Sequence, residues 1–421
     1  MLGELVEREE IVERVAALDI GKAELVCCVR VPGSSGGRRA QEVTSCRTMT
    51  RDLLRMADRL ACLGVSRVVM EATSDYWKPV FYVLEAAGFE TWLVNARDVK
   101  NLPGRPKTDR LDAVWLCKVA ERQMLRPSFV PPAPIRRLRD LCRYRCDLTV
   151  SRTAEKQRVE KLLEDAQIKL SSVASDIFGM SGREMMAALI AGERDPKRLA
   201  AYARGRLRGK LGELEEAFNG RFDDHHAFLL AKMLARVDLI STDITEVEQR
   251  IESEIAPHAT VVQHLDEIPG VGPVTAWVII AEIGLDMSRF PTAAHLCSWA
   301  RFSPGVKESA GKSRGNGATG KGNKYLARVL GEAAVTAGRT DTFLGQRYRR
   351  LARRRGKKKA IVAVGRSILI AVWHLLANPD TEFVDLGADF LDQRRSSEAV
   401  QRQHVRQLEA LGYRVTLEPA A

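Results

Sequence analysis

The chain has 421 residues and a formal net charge of +12. This length is too great for one ordinary hydrophobic core, so two or three domains are expected. The positive surplus favours nucleic acid as a partner, because Lys and Arg that neutralise phosphates release counterions; a membrane surface is second, and solvated basic faces are the alternative.

Cysteine usage and hydropathy exclude further classes. The eight cysteines include no CxxC pair and no zinc-like grouping with histidine, which indicates a reduced chain without structural zinc. The N-terminal segment MLGELVEREEIVER is charged throughout and lacks the features of a secretory signal, so a cytoplasmic, nucleoid-associated protein is expected. The apolar segment from Ala360 to Ala377 is interrupted by Arg366 and His374, which favours a buried helix over a membrane span.

Residues 1–130 are predicted to form an α/β domain. RVAALDI and LVCCVRV, joined by the turn GKAE, are two strand candidates, so a β-hairpin opens the domain. A helical stretch from Leu53 to Leu63, the strand SRVVMEA, a helix from Tyr76 to Ala87 and the strand ETWLVN complete a β-α-β pattern.

A proline-rich linker and a helical region follow. PSFVPPAP, ending at Pro134, cannot sustain a helix and marks a boundary. Residues 135–260 are predicted to be helical with coiled-coil character, because apolar residues there alternate by fours and threes. This apolar seam can serve a coiled coil between subunits or a helical hairpin within one chain; it consists of Met233, Val237, Ile240, Ile244, Val247 and Ile251.

A mainly helical domain is predicted over residues 261–395, followed by an irregular tail over 396–421. It opens with IPGVGPVTA, whose Gly270 and Gly272 are typical of a helix-hairpin-helix turn that binds phosphate through backbone amides. The alternative is a tight turn whose glycines only relieve steric strain. A loop rich in Gly, Ser and Lys runs from Ser303 to Asn323.

Four carboxylates stand on three predicted elements. Asp19 ends the first strand, Glu71 ends a later strand, and Asp109 and Asp112 lie in a predicted helix, where residues three apart differ by about 60° and can face one site. Carboxylates gathered together raise one another's pKa unless cations compensate. Mg²⁺ prefers such oxygen ligands and bridges phosphate oxygens, which indicates phosphodiester chemistry, although each residue alone is more often a solvated acid. An early strand with Asp, a middle strand with Glu and a late helix with two Asp are typical of the ribonuclease-H-like fold.

Taken together, these motifs resemble the DEDD transposases of insertion sequences, a family related to the pilin-gene invertases that includes the bridge-RNA-guided recombinases. The resemblance spans nearly the whole chain and rests on LDIGK, VVMEAT, VNARDVKNLPGRPKTDRLDA, IPGVGPVTA and the loop around Ser309. It implies a ribonuclease-H-like, resolvase-like N-terminal domain and a C-terminal transposase domain that carries a catalytic serine. Asp19, Glu71, Asp109 and Asp112 would take its four Mg²⁺-binding positions.

The loop after residue 303 supplies the expected nucleophile. A serine that attacks DNA needs a base, a metal or nearby cations to deprotonate it and to neutralise developing charge. The resemblance places the essential serine at Ser309, with Ala310 where glycine is common in the family; Ser303 and Ser313 are the other candidates. Without the resemblance, the segment would be interpreted as a flexible basic loop.

Cations near these motifs are expected to contact phosphate. Lys100, Arg105, Lys107 and Arg110 adjoin the acidic helix, and the serine loop contains further cations. Residues 349–359, RRLARRRGKKK, include eight cations in eleven positions. This segment is expected to contact nucleic acid; the alternative is that its charges are only solvated. The predicted nucleic-acid-binding set is Lys107, Arg110, Gly270, Gly272, Lys312, Arg314, Lys321, Lys324, Arg353 and Lys357.

The resulting prediction is a DNA transposase or recombinase that acts on double-stranded element ends and target through a covalent serine intermediate. The resemblance implies a homo-oligomer, dimer or tetramer, and for some members an element-encoded guide RNA. Three alternatives remain: a metal-dependent junction nuclease without serine chemistry, a sugar-kinase-like or actin-like ATPase suggested by LDIG, and a non-catalytic nucleic-acid scaffold.

Overall fold

A computed structural model describes residues 11–34, 38–71, 74–96, 99, 108–305, 308–309, 312–313, 318–390 and 397–418. The chain divides into two compact units, Met1–Val130 and Pro131–Ala421. The boundary lies inside the proline-rich segment. The finer division of the second unit into a helical region and a C-terminal domain stays a prediction.

The first unit is built on a mixed five-stranded sheet in the order β3-β2-β1-β4-β5. β1 pairs antiparallel with β2, which pairs antiparallel with β3, while β4 lies parallel to both β1 and β5. The strands are β1 (Val15–Ile20), β2 (Glu24–Pro32), β3 (Arg39–Arg47), β4 (Arg67–Glu71) and β5 (Glu90–Val94). A mixed-sheet α/β unit followed by a mostly helical unit agrees with the predicted order of fold classes.

Alternating side chains give this sheet two buried faces. In β1, Ala16, Leu18 and Ile20 belong to one core cluster, and Val15 and Ala17 belong to the other. The first face packs against α1 (Thr50–Cys62) and α2 (Trp77–Ala86), and the second packs against α3 (Asp109–Glu121). The helix α3 presents buried residues to the sheet at helical spacing, namely Ala113, Leu116, Cys117 and Ala120.

Strand β3 is a feature that the sequence analysis missed. Its sequence RAQEVTSCR alternates poorly and is mostly exposed or half-buried, as befits an edge strand protected by polar side chains. The buried Glu121, at the end of α3, forms ion pairs with Arg30 of β2 at 3.0 Å and with Arg39 of β3 at 2.5 Å. This carboxylate therefore fixes the end of α3 against the antiparallel side of the sheet.

The second unit is mostly helical. Its N-terminal half contains α4 (Ala133–Asp165), α5 (Leu170–Val173), α6 (Met180–Ile190), α7 (Pro196–Ala200), a 3-10 turn (Gly205–Lys210), α8 (Leu211–Ala217) and α9 (Asp224–Ile255). Its C-terminal half contains α10 (Ala259–Asp266), α11 (Pro273–Ile283), α12 (Ala293–Trp299), the strands β6 (Glu308–Ser309) and β7 (Lys312–Ser313), α13 (Lys324–Ala337), α14 (Phe343–Arg355), α15 (Lys357–Ala377) and α16 (Ser397–Ala410).

The two longest helices, α4 and α9, pack against each other as an antiparallel hairpin. Polar contacts between them run in opposite chain directions: Arg145 bonds Glu248 at 2.7 Å, and Asp165 lies 3.4 Å from His226. The apolar seam of α9 is turned inward, with Val237 and Ile244 each 4% exposed and Ile251 fully buried. Four of the six seam residues are thus buried within one chain and Met233 and Val247 are half-buried, as the intramolecular alternative predicts.

Separate hydrophobic cores lie at the two ends of this hairpin. The far core joins the adjacent ends of α4 and α9 to the short helices between them, through residues such as Leu163, Met186 and Leu230. The near core joins Leu138 of α4 and Ile251 of α9 to α11, α13 and α15. The residues that flank the predicted serine loop, Phe302 and Leu326, belong to the near core.

Two late segments complete the fold. By length and composition, α15 is apolar enough to cross a membrane, the one such helix among the described residues. One of its faces is buried in the near core through Val364, Ile368 and Val372, as predicted for a core helix. The prediction of an irregular tail is wrong for α16, because SEAVQRQHVRQLEA consists largely of residues with good helix propensity.

Candidate active site

The parallel pairing of β1 and β4 brings two of the predicted carboxylates together. Leu18 is the register partner of Met70, so Asp19 and Glu71 follow at the same level of adjacent strands. Residues alternate between faces along a strand, which places Asp19 on the face of Ala17 and Glu71 on that of Val69. Both carboxylates therefore stand at the carboxyl ends of their strands, on the side covered by α3.

Helix α3 adds a third carboxylate. Thr108 caps its N-terminus: the Thr108 hydroxyl accepts from the amide of Leu111 at 3.4 Å, and the Thr108 carbonyl accepts from the amide of Asp112 at 2.7 Å. This geometry puts Asp112 in the first turn, directly before the helical face that packs on the sheet.

Asp19, Glu71 and Asp112 line one small pocket, which we call the acidic pocket. Its volume of about 10 Å³ is close to the space of a single water molecule. All three carboxylates are half-buried. The remaining lining residues are Leu18, Val99, Trp115 and Leu116. Sequence analysis did not single out Trp115, whose only signal was its position three residues after Asp112.

The donor set of the acidic pocket suits Mg²⁺. Three carboxylates from three elements supply hard oxygen ligands around a confined space. Within the described part of the chain, no three acidic, histidine or cysteine side chains lie as close together as metal ligands. Asp109 begins α3, and its side chain lies outside the described residues, as do Lys100, Arg105 and Lys107. Arg110 is exposed on the first turn of α3.

Ser309 lies in a small β-hairpin of the second unit. β6 and β7 pair antiparallel, with Ser309 opposite Lys312 and Glu308 opposite Ser313, and two residues stand between the strands. Ser309 is therefore the last residue of β6, next to the connection between the two strands. The side chains of Ser309, Lys312 and Ser313 lie outside the described residues, as does Arg314.

The two stems of the serine loop are held together. The amide of Gly305 donates to the carbonyl of Ala318 at 3.3 Å, across the loop. Gly322 packs so closely on the first stem that a Cβ atom there would lie 2.7 Å from the carbonyl oxygen of Ala300. Ser303, an alternative candidate nucleophile, accepts a hydrogen bond from Arg366 at 2.9 Å.

The end of the loop contacts a buried carboxylate that sequence analysis missed. Glu282, in the last turn of the apolar helix α11, is fully buried. Arg143 of α4 donates to both of its carboxylate oxygens, at 2.7 and 2.8 Å, and Arg139 lies 3.4 Å away. The side-chain amide of Asn323 donates to the same carboxylate at 2.5 Å. We call Arg139, Arg143, Glu282 and Asn323 the Glu282 network.

Packing accounts for Gly270 in the predicted phosphate-binding turn. Its φ is +89°, and a Cβ atom there would lie 2.2 Å from the carbonyl oxygen of Ala333 on α13. Gly272 is the N-cap of α11, and the nearest atom to a Cβ there is a carboxylate oxygen of Asp266, at 4.0 Å. An acidic neighbour disfavours an anion at this helix N-terminus. The close-packing alternative therefore explains Gly270, and phosphate binding remains a prediction.

The predicted basic segment lies on two helices. Gly356, with a φ of +86°, ends α14 and precedes α15. Arg353 and Lys357 on either side of it are exposed, as are Lys321 and Lys324 at the end of the serine loop. These side chains present positive charge to solvent, as phosphate contact requires.

Comparisons with known proteins agree with the motifs. A family model of DEDD transposases of the IS110 type matches residues 16–168, and a model described as the transposase IS116/IS110/IS902 family matches residues 262–349. The chain is similar to an uncharacterized 43.6 kDa protein of insertion element IS110 from Streptomyces coelicolor, at 31% identity over 147 residues. That match covers 33% of this chain and 36% of the relative, about a third of the relative's length. The first model matches the part of the chain that contains the acidic pocket, and the second matches the part that contains the serine loop. Together the two models cover more than half of the chain. The chain therefore belongs to the IS110 family of insertion-sequence transposases.

Proposed function

We propose that this protein is a DNA transposase that cleaves and exchanges strands by using the acidic pocket and Ser309. The observation that carries the proposal is the convergence of Asp19, Glu71 and Asp112 on one pocket from two strands and a helix. Carboxylate oxygens that three elements supply around one confined space are ligands that suit a divalent cation.

The sheet topology supports a ribonuclease-H-like N-terminal domain. Three antiparallel strands are followed by two parallel ones, and the carboxylates stand at the ends of β1 and β4 and in the helix that covers them. The order of acidic residues along the chain, strand then strand then helix, was the basis for predicting this fold class.

Asp19, Glu71 and Asp112 would hold Mg²⁺, with Asp109 as the fourth ligand. When bound, the ion polarises a phosphoryl oxygen and stabilises the leaving oxygen. The protein's part is to fix these carboxylates on rigid elements: the register of β1 with β4 sets the first two, and the Thr108 cap sets the start of α3.

In the proposed cleavage, the Ser309 oxygen attacks a DNA phosphorus, forming a serine phosphodiester as the bond to one deoxyribose oxygen breaks. The serine proton passes to a base or water, and the leaving deoxyribose oxygen takes up a proton. A hydroxyl of the recipient strand then attacks the same phosphorus and releases the serine. The number of phosphodiester bonds is conserved, so no external energy source is needed.

The proposed partners are the double-stranded element ends and the target, contacted through exposed cations such as Arg110, Lys324, Arg353 and Lys357. Homo-oligomerisation and an element-encoded guide RNA are included because the family resemblance implies them. With a guide RNA, base pairing would supply sequence specificity and the protein would bind mainly backbone.

The test is a recombination assay with the element's flanking DNA and its transcribed RNA, in which protein-DNA adducts are trapped on a denaturing gel. We expect an adduct that requires Ser309 and a divalent metal, and that Ser309→Ala abolishes. Ser313→Ala, a change in the same hairpin, is the matched control and should retain the adduct. An adduct lost in Ser313→Ala but kept in Ser309→Ala would assign the nucleophile to Ser313.

The acidic pocket by itself also favours a second candidate, a metal-dependent junction nuclease that uses water as nucleophile. This alternative predicts metal-dependent cleavage that survives Ser309→Ala and requires Asp112. Recombination that persists without any of the four carboxylates would instead support a non-catalytic scaffold.

A further inference from the structure

The strongest unassigned feature is the Glu282 network, which links three parts of the second unit. Glu282 interrupts an otherwise apolar helix, PVTAWVIIAEI, and its carboxylate is fully buried. A buried charge is unfavourable unless ion pairs and hydrogen bonds satisfy it, so the partners of Glu282 are needed to keep its carboxylate inside the fold. Both carboxylate oxygens accept hydrogen bonds, from α4 and from the serine loop.

Arg139 and Arg143 attach this carboxylate to the hairpin helix α4. Arg143 provides a two-bond contact, the geometry that holds a carboxylate most firmly. Arg139 also donates to the backbone carbonyls of Ala281 and Glu282, at 2.9 and 2.8 Å. These carbonyls belong to the last turn of α11, where helix geometry leaves them without an internal partner. The Glu282 side chain is therefore fixed in orientation from the α4 side.

Asn323 joins this fixed carboxylate to the end of the serine loop. Its side-chain oxygen accepts from the amides of Tyr325 and Leu326, at 3.0 and 3.2 Å, and so caps α13. Its side-chain nitrogen donates to Glu282. One residue thus ends the loop, begins the next helix and connects both to a buried anion.

Tyr325 gives the same helix start a second attachment. Its ring lies under the Arg143 guanidinium, 5.0 Å from ring centroid to Cζ, and its hydroxyl donates to Asp147 at 3.0 Å. The C-terminal stem of the serine loop is consequently fixed to α4 in two directions, while the Gly305 to Ala318 bond joins this stem to the other.

From this geometry we infer that Glu282 and Asn323 are positioning residues for the serine loop: the hydrogen bond between them sets where the Ser309 hairpin lies. This inference rests on the proposed function for the identity of the nucleophile, Ser309, whereas the contacts of the Glu282 network do not depend on serine chemistry. Neither residue contacts DNA in this mechanism; both act through the loop stem. Nucleophilic attack tolerates little displacement, so a loosened stem should slow it even when DNA is bound.

Asn323→Asp tests the bond while retaining the cap. Aspartate is as good an N-cap as asparagine, but it cannot donate to Glu282 and it places a second negative charge beside that carboxylate. Asn323→Ser removes the same bond without adding a charge, because serine can also cap a helix but its side chain ends before the atom that contacts Glu282. Asn219→Asp, an exposed position after α8, is the matched control for the substitution itself.

Two readouts are measured on the full chain. The first is the rate of Ser309-DNA adduct formation at saturating DNA, with DNA affinity measured separately. The second is hydrogen exchange of the peptide covering residues 303–323, which needs no DNA. For Asn323→Asp we expect adduct formation to slow by about 10-fold or more with DNA affinity changed less than about threefold, and amide exchange to quicken by about 10-fold or more. Asn323→Ser should change both in the same direction, and Asn219→Asp should leave both within about threefold of wild type.

Unchanged exchange and adduct rate in Asn323→Asp would overturn the inference, and so would equal changes in Asn219→Asp. If Asn323→Asp does not fold, Asn323→Ser, which also caps a helix, takes its place. Absence of any wild-type adduct would count against the proposed function alone, since the exchange measurement still tests the positioning role.

Discussion

Replacing Glu282 by leucine should destabilise the second unit strongly, because it leaves the buried ends of two arginines without their anion. Removal of one partner from a buried ion pair costs about 3–5 kcal/mol. Arg143 is 37% exposed and can recover part of its hydration, and Arg139 retains its two backbone carbonyls. We therefore expect Glu282→Leu to lower the free energy of unfolding by about 3 kcal/mol, at the lower end of that range.

The assay is denaturant unfolding of the full chain followed by helical circular dichroism. Glu332→Leu is the control: Glu332 is 61% exposed in a surface pair with Arg328, and its replacement should change stability by about 0.5 kcal/mol or less. The double variant Glu282→Leu with Arg143→Leu should recover at least half of the loss, because a buried pair replaced by apolar residues is often close to neutral. A loss below about 1 kcal/mol in Glu282→Leu would refute the assigned role of the ion pair.

Four further outcomes are expected. Gly270→Ala should cost about 1–3 kcal/mol of stability, since its φ is +89° and a Cβ atom would meet Ala333, whereas Gly272→Ala should cost about 1 kcal/mol or less; equal losses in thermal unfolding would contradict the packing argument. Asp112→Asn should slow metal-dependent DNA cleavage by about 100-fold or more without changing the melting temperature, and normal cleavage would exclude Asp112 as a ligand. Arg353→Gln and Lys357→Gln should each reduce the slope of log affinity against log salt by about 0.9, and an unchanged slope would mean that these cations are only solvated. Burial raises the pKa of Cys27 and of Cys142 from 9.0 to about 12. Because the unfolded chain loses these thiol protons at lower pH than the folded chain does, the free energy of unfolding should fall as pH rises from 9.0 to about 12. Replacing both cysteines by alanine should make that fall less steep.

Much of the first unit could be predicted from local sequence. Strands β1, β2, β4 and β5 carry buried apolar runs, and the carboxylates at two of their ends are evident in the printed sequence. The edge strand β3 could not, because a strand with one partner and an exposed face needs no apolar pattern. Convergence of Asp19 and Glu71 depends on the parallel pairing of β1 with β4, which local pattern suggests only through the β-α-β order.

Long-range pairing explains what sequence left open in the second unit. The seam of α9 predicts an apolar partner but does not say whether that partner is α4 or another chain; the structure supplies α4. Glu282 is a lone acid in an apolar helix, and its partners lie 139 residues before and 41 residues after it. Nothing local to Asn323 distinguishes an ordinary N-cap from one that also donates to a buried carboxylate.

The antiparallel pair of α4 and α9 has a mechanical consequence. At 1.5 Å per residue, α9, with 32 residues, is about 48 Å long, and the small far core sits at one end of it while the core that holds the serine loop sits at the other. Over this length, a rotation of about 5° at one end of the pair would displace the other end by about 4 Å. A force applied at the far-core end would likewise act at the near-core end, where Arg143 donates a hydrogen bond to Glu282.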